Sequence, residues 1–237
     1  MRKPSAILLF SKPPRITRSN QDEPYAALPW EDLDALFTAL LGDVLEHACR
    51  LSDADILLYR HQADLSDDFL HPFGDRIKCS TLLNGSLTEN VHHAVEAAFA
   101  GLYQRVVVLL ENHPVLDTAF LAKIVQQLSY EDDCLVVGPA LEGGCFLIGM
   151  KSNHSELFEK TDQDPLVKPN VLMKRLCGTD SILFLTQPTY LLDSGFSLAR
   201  LKGDLDKTDG LSPGFPKRTY EMFKLIDKKY RLKKPAR

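Results

Sequence analysis

The chain has 237 residues, with 44% hydrophobic residues, 25% charged residues and a formal net charge of −4 at pH 7. This length suits one α/β domain, and the composition excludes a disordered chain, a collagen, a coiled coil and a small disulfide-built protein. The five cysteines lack metal-type spacing, the first apolar run is too short for a leader peptide, and no stretch approaches the ~20 apolar residues of a membrane helix. We therefore expect a cytoplasmic protein without a membrane span.

Short apolar runs alternate with longer amphipathic stretches along the chain. In chain order, these patterns predict a strand at 5–10, a helix at 30–51, a strand at 54–59, a helix at 86–102, a strand at 105–110, a helix at 117–128, strands at 134–137 and 145–150, a helix at 171–176, a strand at 182–185 and a helix at 217–229. Two further signals predict helix starts: Ser86 and Glu89 have the spacing of a capping box, and Asp117 is placed as an N-cap.

The alternation of buried strands and helices predicts an α/β fold with a mostly parallel, doubly wound sheet. We assign residues 1–215 to one domain and residues 216–237 to a C-terminal basic helix and tail. A solvated helix end explains this basic tail better than a nucleic-acid contact does. Ligands of such sheets bind beyond the carboxyl ends of the strands. Functional residues are therefore expected in the segments 11–18, 60–64, 83–90, 111–117 and 138–144.

Three cations, Lys12, Arg15 and Arg18, follow the first predicted strand. Arginine and lysine are the usual partners of phosphate groups, so this segment either binds phosphates or is a solvated basic loop. The sequence has neither GxGxxG nor GxxxxGK[ST], the glycine-rich patterns that cradle phosphates in dinucleotide-binding and P-loop proteins.

Glu111, Asn112 and His113 follow the fourth predicted strand. Alternate residues of an extended chain share a face, so Glu111 and His113 are placed to ligate one divalent metal ion. Oxygen ligands suit Mg²⁺, whereas an imidazole suits Zn²⁺ or Mn²⁺-like ions better. The alternative interpretation is a polar loop that leads into the helix capped by Asp117.

Four segments, taken in order, resemble motifs of the DUF2064 family, a group of glycosyltransferase-A-like bacterial proteins that includes chains labelled TagF-like or arsenosugar-type glycosyltransferases. Residues 9–15 (LFSKPPR) are similar to its start, FxKxPxxGxxKTRL. Residues 85–90 (GSLTEN) are similar to GDLGER, and residues 138–149 (GPALEGGCFLIG) to GPAxDGGYYLIGL. Residues 193–198 (DSGFSL) lie where the family has DTPEDL.

The resemblance implies a nucleotide-diphospho-sugar transferase fold, a nucleotide-sugar donor and a small-molecule acceptor. It implies that Lys12, Arg15, Arg18 and Asn90 contact the donor. It also implies that Glu142, which replaces the aspartate of the family's DGG, is a catalytic base or an acceptor contact.

Asn112 departs from the family pattern, because it replaces the first aspartate of G[ST]DSPDL, the residue expected to contact the metal and the diphosphate. An amide oxygen binds Mg²⁺ or Mn²⁺ more weakly than a carboxylate does. The resemblance therefore implies an altered metal site at Glu111, Asn112 and His113.

Three functions are compatible with these residues. The first is a nucleotide-sugar-dependent glycosyltransferase that uses the basic loop and the altered metal site. The second is a non-catalytic binding module with the same fold, which the missing acidic residues favour. The third is a nucleotidyltransferase acting on a phosphorylated small molecule, which the absence of glycine from the loop after the first strand disfavours.

Overall fold

A computed structural model of the chain describes residues 4–11, 25, 28–60, 67–110, 116–160, 164–166, 168–212 and 214–230. Within these ranges seven strands form one sheet: β1 (Ser5–Ser11), β2 (Ala54–Arg60), β3 (Ile77–Thr81), β4 (Arg105–Leu109), β5 (Cys134–Pro139), β6 (Cys145–Met150) and β7 (Ile182–Leu185). Their order in the sheet is β3-β2-β1-β4-β6-β5-β7. Only β6, among the described strands, runs antiparallel to its neighbours, so the predicted mostly parallel α/β sheet is confirmed.

The described helices are α1 (Trp30–Cys49), α2 (Asp67–Leu70), α3 (Leu87–Ala100), α4 (Thr118–Gln127), α5 (Pro169–Leu176), α6 (Gly195–Lys207) and α7 (Lys217–Tyr230). Short 3₁₀ helices lie at His71–Arg76 and Ser155–Phe158, and α6 and α7 follow the last strand. The predicted capping box of α3 is confirmed, because Ser86 and Glu89 exchange hydrogen bonds between side chain and backbone. The predicted cap of α4 is also confirmed, since the Asp117 carboxylate accepts a hydrogen bond from the Phe120 N–H at 2.7 Å.

Two apolar layers cover the two faces of the sheet. In β1, Ile7 and Leu9 pack into one layer, and Ala6 and Leu8 pack into the other. Helices α1 and α4 cover the first face, whereas α3 and α5 cover the second. The continuous apolar sequence of β1 follows from this burial on both sides.

The described elements differ from the sequence-based expectation at α2, β3, α6 and α7. The polar sequence of residues 61–78 predicts an irregular segment, yet β3 begins at Ile77 and pairs with β2 as an edge strand of the sheet. Helix α6 has no counterpart among the predicted elements. The sequence of 217–229 predicts an apolar side of Tyr220, Phe223, Leu225 and Ile226 for α7. This is wrong for Leu225, which is 59% exposed while the adjacent Ile226 is buried.

Helix α7 is tied to α1 through a buried carboxylate. Asp43 of α1 is 3% exposed and accepts hydrogen bonds from the backbone N–H groups of Arg218 and Thr219, at 3.2 and 2.8 Å. These N–H groups belong to the first turn of α7, where a helix has no backbone acceptors of its own. Asp43 thus acts as a cap supplied by another helix.

In the described part of the chain, no helix has the length and apolarity needed to cross a membrane.

Candidate functional site

The carboxyl ends of four neighbouring strands lie level with one another. We call this line of strand ends the carboxyl edge, which is distinct from the edge strands β3 and β7. Ser11 at the end of β1 pairs with Arg60 at the end of β2, and Arg60 pairs with Thr81 at the end of β3. On the other side of β1, Leu9 pairs with Leu109, the last residue of β4. Helix α3 begins at this edge, shortly after β3. Parallel α/β sheets bind ligands at such an edge.

Six of the eight predicted site residues lie outside the described residues: Lys12, Arg15, Arg18, Glu111, Asn112 and His113. Their phosphate and metal contacts stay predictions. The described part of the chain contains no group of three or more His, Cys, Asp or Glu side chains placed to hold a metal ion. The other two predicted residues, Asn90 and Glu142, are described, and both belong to segments at the carboxyl edge.

Asn90 is 6% exposed and its side chain is bonded to the backbone before α3. Its Oδ1 accepts a hydrogen bond from the Leu83 N–H at 2.7 Å. Its Nδ2 donates to the carbonyl oxygens of Leu83 and Ser86, at 3.1 and 3.0 Å. These bonds fix the turn through which the chain leaves β3 and enters α3. The predicted contact of Asn90 with a donor substrate stays a prediction beside this observed structural role.

The turn between β5 and β6 places Glu142 at the carboxyl edge. Gly143 and Gly144 have φ angles of +100° and +81°, which an L side chain rarely adopts, so the two glycines are required by the backbone. The turn is closed by two backbone hydrogen bonds, in which the Gly143 N–H donates to Ala140 and the Ala140 N–H donates to Gly144, each at 3.1 Å. The glycine pair therefore makes the tight reversal that presents Glu142.

Glu142 is exposed, and its carboxylate is positioned by the chain segment after β7. Its Oε2 accepts a hydrogen bond from the Leu191 N–H at 3.2 Å. The same segment pairs with the turn through Thr189, which accepts from the Leu141 N–H at 2.8 Å and donates to the Pro139 carbonyl at 3.1 Å. Glu142 thus has a fixed backbone partner and is accessible to solvent, an arrangement suited to accepting a proton from a bound hydroxyl group.

The segment at 189–191 was not among the predicted site segments. It pairs with residues about 49 positions earlier in the chain, so no local pattern connects the two. One signal was available: the polar residues Thr186 and Gln187 directly follow a predicted strand, and the rule applied to the other strand ends applies to this one as well.

Packing against Phe146 explains why the first residue of the 138–149 motif, Gly138, is a glycine. A Cβ atom on this residue would lie 2.6 Å from Cζ of Phe146, far inside van der Waals contact. Phe146 is 1% exposed and belongs to the apolar layer shared with α1 and α4. The motif therefore combines residues that shape the hairpin with one exposed carboxylate.

A second polar cluster borders the start of α3. The buried Thr88 hydroxyl donates a hydrogen bond to Asp164, which also accepts from the Leu166 N–H at 3.0 Å. Nearby, the Lys160 ammonium lies 3.5 Å from the Glu89 carboxylate. These contacts hold the chain after β6 against the first turn of α3, so Asp164 has a structural role in the described residues.

Cys145 follows the glycine pair and is 8% exposed. Burial raises the pKa of its thiol to about 12. The thiol is therefore protonated at neutral pH, and neither metal ligation nor nucleophilic attack is favoured for it, because both require the thiolate.

Comparison with solved structures shows which fold this is. The chain matches a protein from Desulfovibrio desulfuricans G20, provisionally described as a nucleotide-diphospho-sugar transferase, with a TM-score of 0.77, 21% identity and coverage of 97% of both chains. A cytidylyltransferase from Leptospira borgpetersenii serovar Hardjo-bovis strain JB197 matches with a TM-score of 0.52 and 14% identity, over 100% of this chain and 99% of the other.

A third similar structure is a CMP:2-keto-3-deoxy-manno-octonic acid synthetase in complex with CTP, which matches with a TM-score of 0.52 and 11% identity over 87% of this chain and 99% of that chain. At these identities the three matches establish the fold. It is the fold of nucleotide-diphospho-sugar transferases and cytidylyltransferases, as the sequence resemblance implies.

No curated protein compared with the sequence matches it. The family model described as "Uncharacterized protein conserved in bacteria (DUF2064)" matches residues 44–163, just over half of the chain. The matched region runs from α1 to the segment that follows β6, and it contains both Asn90 and Glu142. The chain belongs to the DUF2064 family.

Proposed function

We propose that the protein is a glycosyltransferase that uses a nucleotide sugar as donor and binds it at the carboxyl edge of the sheet. The observation that carries this proposal is the exposed Glu142 carboxylate, held by the Leu191 N–H at the edge where β1, β2, β3 and β4 end. The likeness over 97% of both chains to a protein provisionally described as a nucleotide-diphospho-sugar transferase supports the choice of substrate class.

In the proposed reaction, the acceptor hydroxyl oxygen forms a bond to the anomeric carbon while the bond from that carbon to the donor phosphate oxygen breaks. Glu142 takes the hydroxyl proton, and the nucleoside diphosphate leaves with the electron pair. Negative charge develops on this leaving group, and fixed cations at a site stabilise it most effectively. We assign that role to Lys12, Arg15 and Arg18, which follow β1 in the sequence.

A divalent cation, Mg²⁺ or Mn²⁺, would be held by Glu111, Asn112 and His113. When bound, it would neutralise charge on the diphosphate. Asn112 supplies a neutral oxygen where the family has a carboxylate, so we expect weak cation binding in the absence of donor. Isothermal titration with Mn²⁺ alone, and then with donor present, measures this.

The first test is titration of the protein with UDP-, GDP-, CDP- and dTDP-sugars, with and without Mn²⁺. We expect binding of at least one donor class. We also expect Arg15→Ala to weaken that binding about 10- to 100-fold, the effect of losing one charge-assisted phosphate contact. Failure of every donor to bind would contradict the proposal.

The second test isolates Glu142. The substitution Glu142→Gln keeps an oxygen that can accept from Leu191, so donor binding should be unchanged, whereas turnover should fall about 100- to 10,000-fold with the loss of the base. Glu221→Gln on α7 is the matched control, because Glu221 is an exposed glutamate on a helix remote in sequence from the hairpin. Equal turnover in the two variants would remove Glu142 from the chemistry.

A nucleotidyltransferase is the second candidate, favoured by the full-length likeness to the cytidylyltransferase. A nucleotidyltransferase releases pyrophosphate, so release of pyrophosphate from an NTP in the presence of sugar phosphates would support it over sugar transfer.

A non-catalytic module would bind a donor without turnover. In that case Asn112→Asp should raise metal affinity without creating activity.

A further inference from the structure

A cluster of four polar side chains lies opposite the carboxyl edge, at the amino ends of β5 and β7. We call Asp133, His154, Glu156 and Ser181 the His154 latch. The Nε2 atom of His154 lies 2.9 Å from Asp133 Oδ2 and 3.1 Å from Ser181 Oγ, and its Nδ1 atom lies 3.0 Å from Glu156 Oε1. Ser181 also donates a hydrogen bond to Asp133.

The four residues come from three separate parts of the chain. Asp133 directly precedes β5, Ser181 directly precedes β7, and His154 and Glu156 follow β6. Because β6 is antiparallel to β5, its carboxyl end lies beside the start of β5. A single imidazole therefore bonds to all three segments.

The two carboxylates define which form of the imidazole fits the latch. A neutral imidazole has one N–H and donates to one partner, whereas the imidazolium has two N–H groups. Here both ring nitrogens face a carboxylate, Asp133 on one side and Glu156 on the other. Only the protonated ring donates to both carboxylates, and its positive charge offsets one of their two negative charges.

Other charged groups surround the latch without replacing His154. The Lys151 ammonium donates to the carbonyl oxygens of Tyr130 and Glu131, and the Arg175 guanidinium on α5 donates to backbone carbonyls at 156, 157 and 159. On α3, His92 faces the Ser155 carbonyl and Glu96. The acidic Glu159 and Asp180 and the basic Arg175 line the same open cavity of about 660 Å³ as the latch.

We propose that the protonated His154 ring latches the starts of β5 and β7 to the chain after β6, and that deprotonation lets this side of the sheet open locally. The proposal is independent of the proposed function, because the latch lies at the edge opposite Glu142. The Ile182 N–H donates to the Asp133 carbonyl at 3.0 Å and so joins β7 to the start of β5. Exchange of this amide hydrogen therefore reports the local opening.

The pKa values of the pair agree with this arrangement. Burial lowers the pKa of His154, but hydrogen bonds to Asp133 and Glu156 outweigh burial and raise it above the ordinary 6.5. Burial likewise opposes ionisation of Asp133, but hydrogen bonds from Ser152, Ser181 and His154 lower its pKa to about 2. The stabilisation from His154 is therefore complete below pH 6.5 and is lost as the pH rises through the pKa of the folded state.

The test combines an NMR titration of His154 with amide exchange at Ile182. The reference amide is Gln104, whose N–H donates to the Pro4 carbonyl at 2.8 Å on the same edge of the sheet, between β1 and β4. After correction for intrinsic exchange, we expect the ratio of Ile182 to Gln104 exchange to rise about tenfold once His154 is deprotonated, equivalent to ~1.4 kcal/mol.

Two variants make the test specific. In His154→Gln the pH dependence of the exchange ratio should disappear, whereas His93→Gln, which alters a 58% exposed histidine beside Glu96, should keep it. In Asp133→Asn the NMR pKa of His154 should fall, which tests the pairing even if His154→Gln does not fold. A His154 pKa at or below 6.5 in the intact protein, or unchanged pH dependence in His154→Gln, would overturn the proposal.

Discussion

Replacing Asp43 by alanine should cost about 3–5 kcal/mol of unfolding free energy, the range for removing one partner of a buried charged network. The carboxylate accepts three hydrogen bonds from two residues, namely the Arg218 N–H at 3.2 Å, the Thr219 N–H at 2.8 Å and the Thr219 hydroxyl at 2.7 Å. Thr219 is fully buried, so water cannot replace the lost acceptor. The first turn of α7 would then hold unsatisfied donors next to a cavity.

Urea unfolding followed by circular dichroism measures this change. Thr219→Val removes one of the three bonds and should cost about 1 kcal/mol, the typical net value of one hydrogen bond. Asp34→Ala is the matched control, because Asp34 is an exposed aspartate of the same helix, and it should change stability by less than about 0.5 kcal/mol. A loss below about 1 kcal/mol for Asp43→Ala would show that α7 does not depend on this cap.

Three further predictions concern packing, backbone strain and acid stability. Gly138→Ala should destabilise the protein by about 1–3 kcal/mol in thermal unfolding, because its Cβ would overlap the Phe146 ring, whereas Gly203→Ala in α6 meets no atom within 4 Å and should be neutral or stabilising. Gly143→Ala should cost about 1–2 kcal/mol in the same assay, since its φ of +100° strains an L residue. Although burial opposes its ionisation, Asp133 has a pKa lowered to about 2 by hydrogen bonds, so its stabilisation is present above pH 3.8 and is lost as the pH falls toward 2. In acid titrations Asp133→Asn should therefore lose less stability over this interval than the unsubstituted protein, and equal losses would contradict the assignment.

The strands that could be predicted from sequence each contain a continuous apolar run, including the edge strand β7 (Ile182–Leu185). β1 and β4 are almost continuous apolar runs because helices cover both sides of the sheet there. β3 could not be predicted in this way, because it is an edge strand whose residues Lys78 to Thr81 are all exposed and carry no apolar pattern. β3 pairs through its backbone with β2 alone, and that pairing leaves little trace in its side chains.

Helix α6 was missed for a related reason. Its buried side consists of Leu198, Leu201 and Leu205, while two glycines weaken its helical propensity. Its capping box uses Ser194 with Ser197 instead of the acidic partner that the standard motif requires. Tertiary packing against α1 and α7 therefore stabilises a helix that local sequence favours weakly.

The candidate site was predictable in outline, because side chains at strand ends are exposed to ligands in every sheet of this type. The strand-end rule selected the segment 138–144, and the resemblance to the family motif singled out Glu142 within it. Its partner Leu191 contributes only a backbone N–H, which any residue except proline supplies, so no sequence signal marks it. The His154 latch was equally invisible, since its members are separated by 21 and 27 positions and meet only after the three strands have paired.

The reversed direction of β6 has a consequence for how this protein family can diversify. Since β5 ends and β6 begins at the carboxyl edge, residues added within 140–144 would lie at the edge where the donor is proposed to bind and would leave the paired parts of the strands in place. The present turn is short and fixed by Gly143 and Gly144, which hold positive φ angles. A change of length at the tip of this hairpin would therefore act on the proposed acceptor contact of Glu142, and its cost would fall on the glycine turn and not on the paired strands.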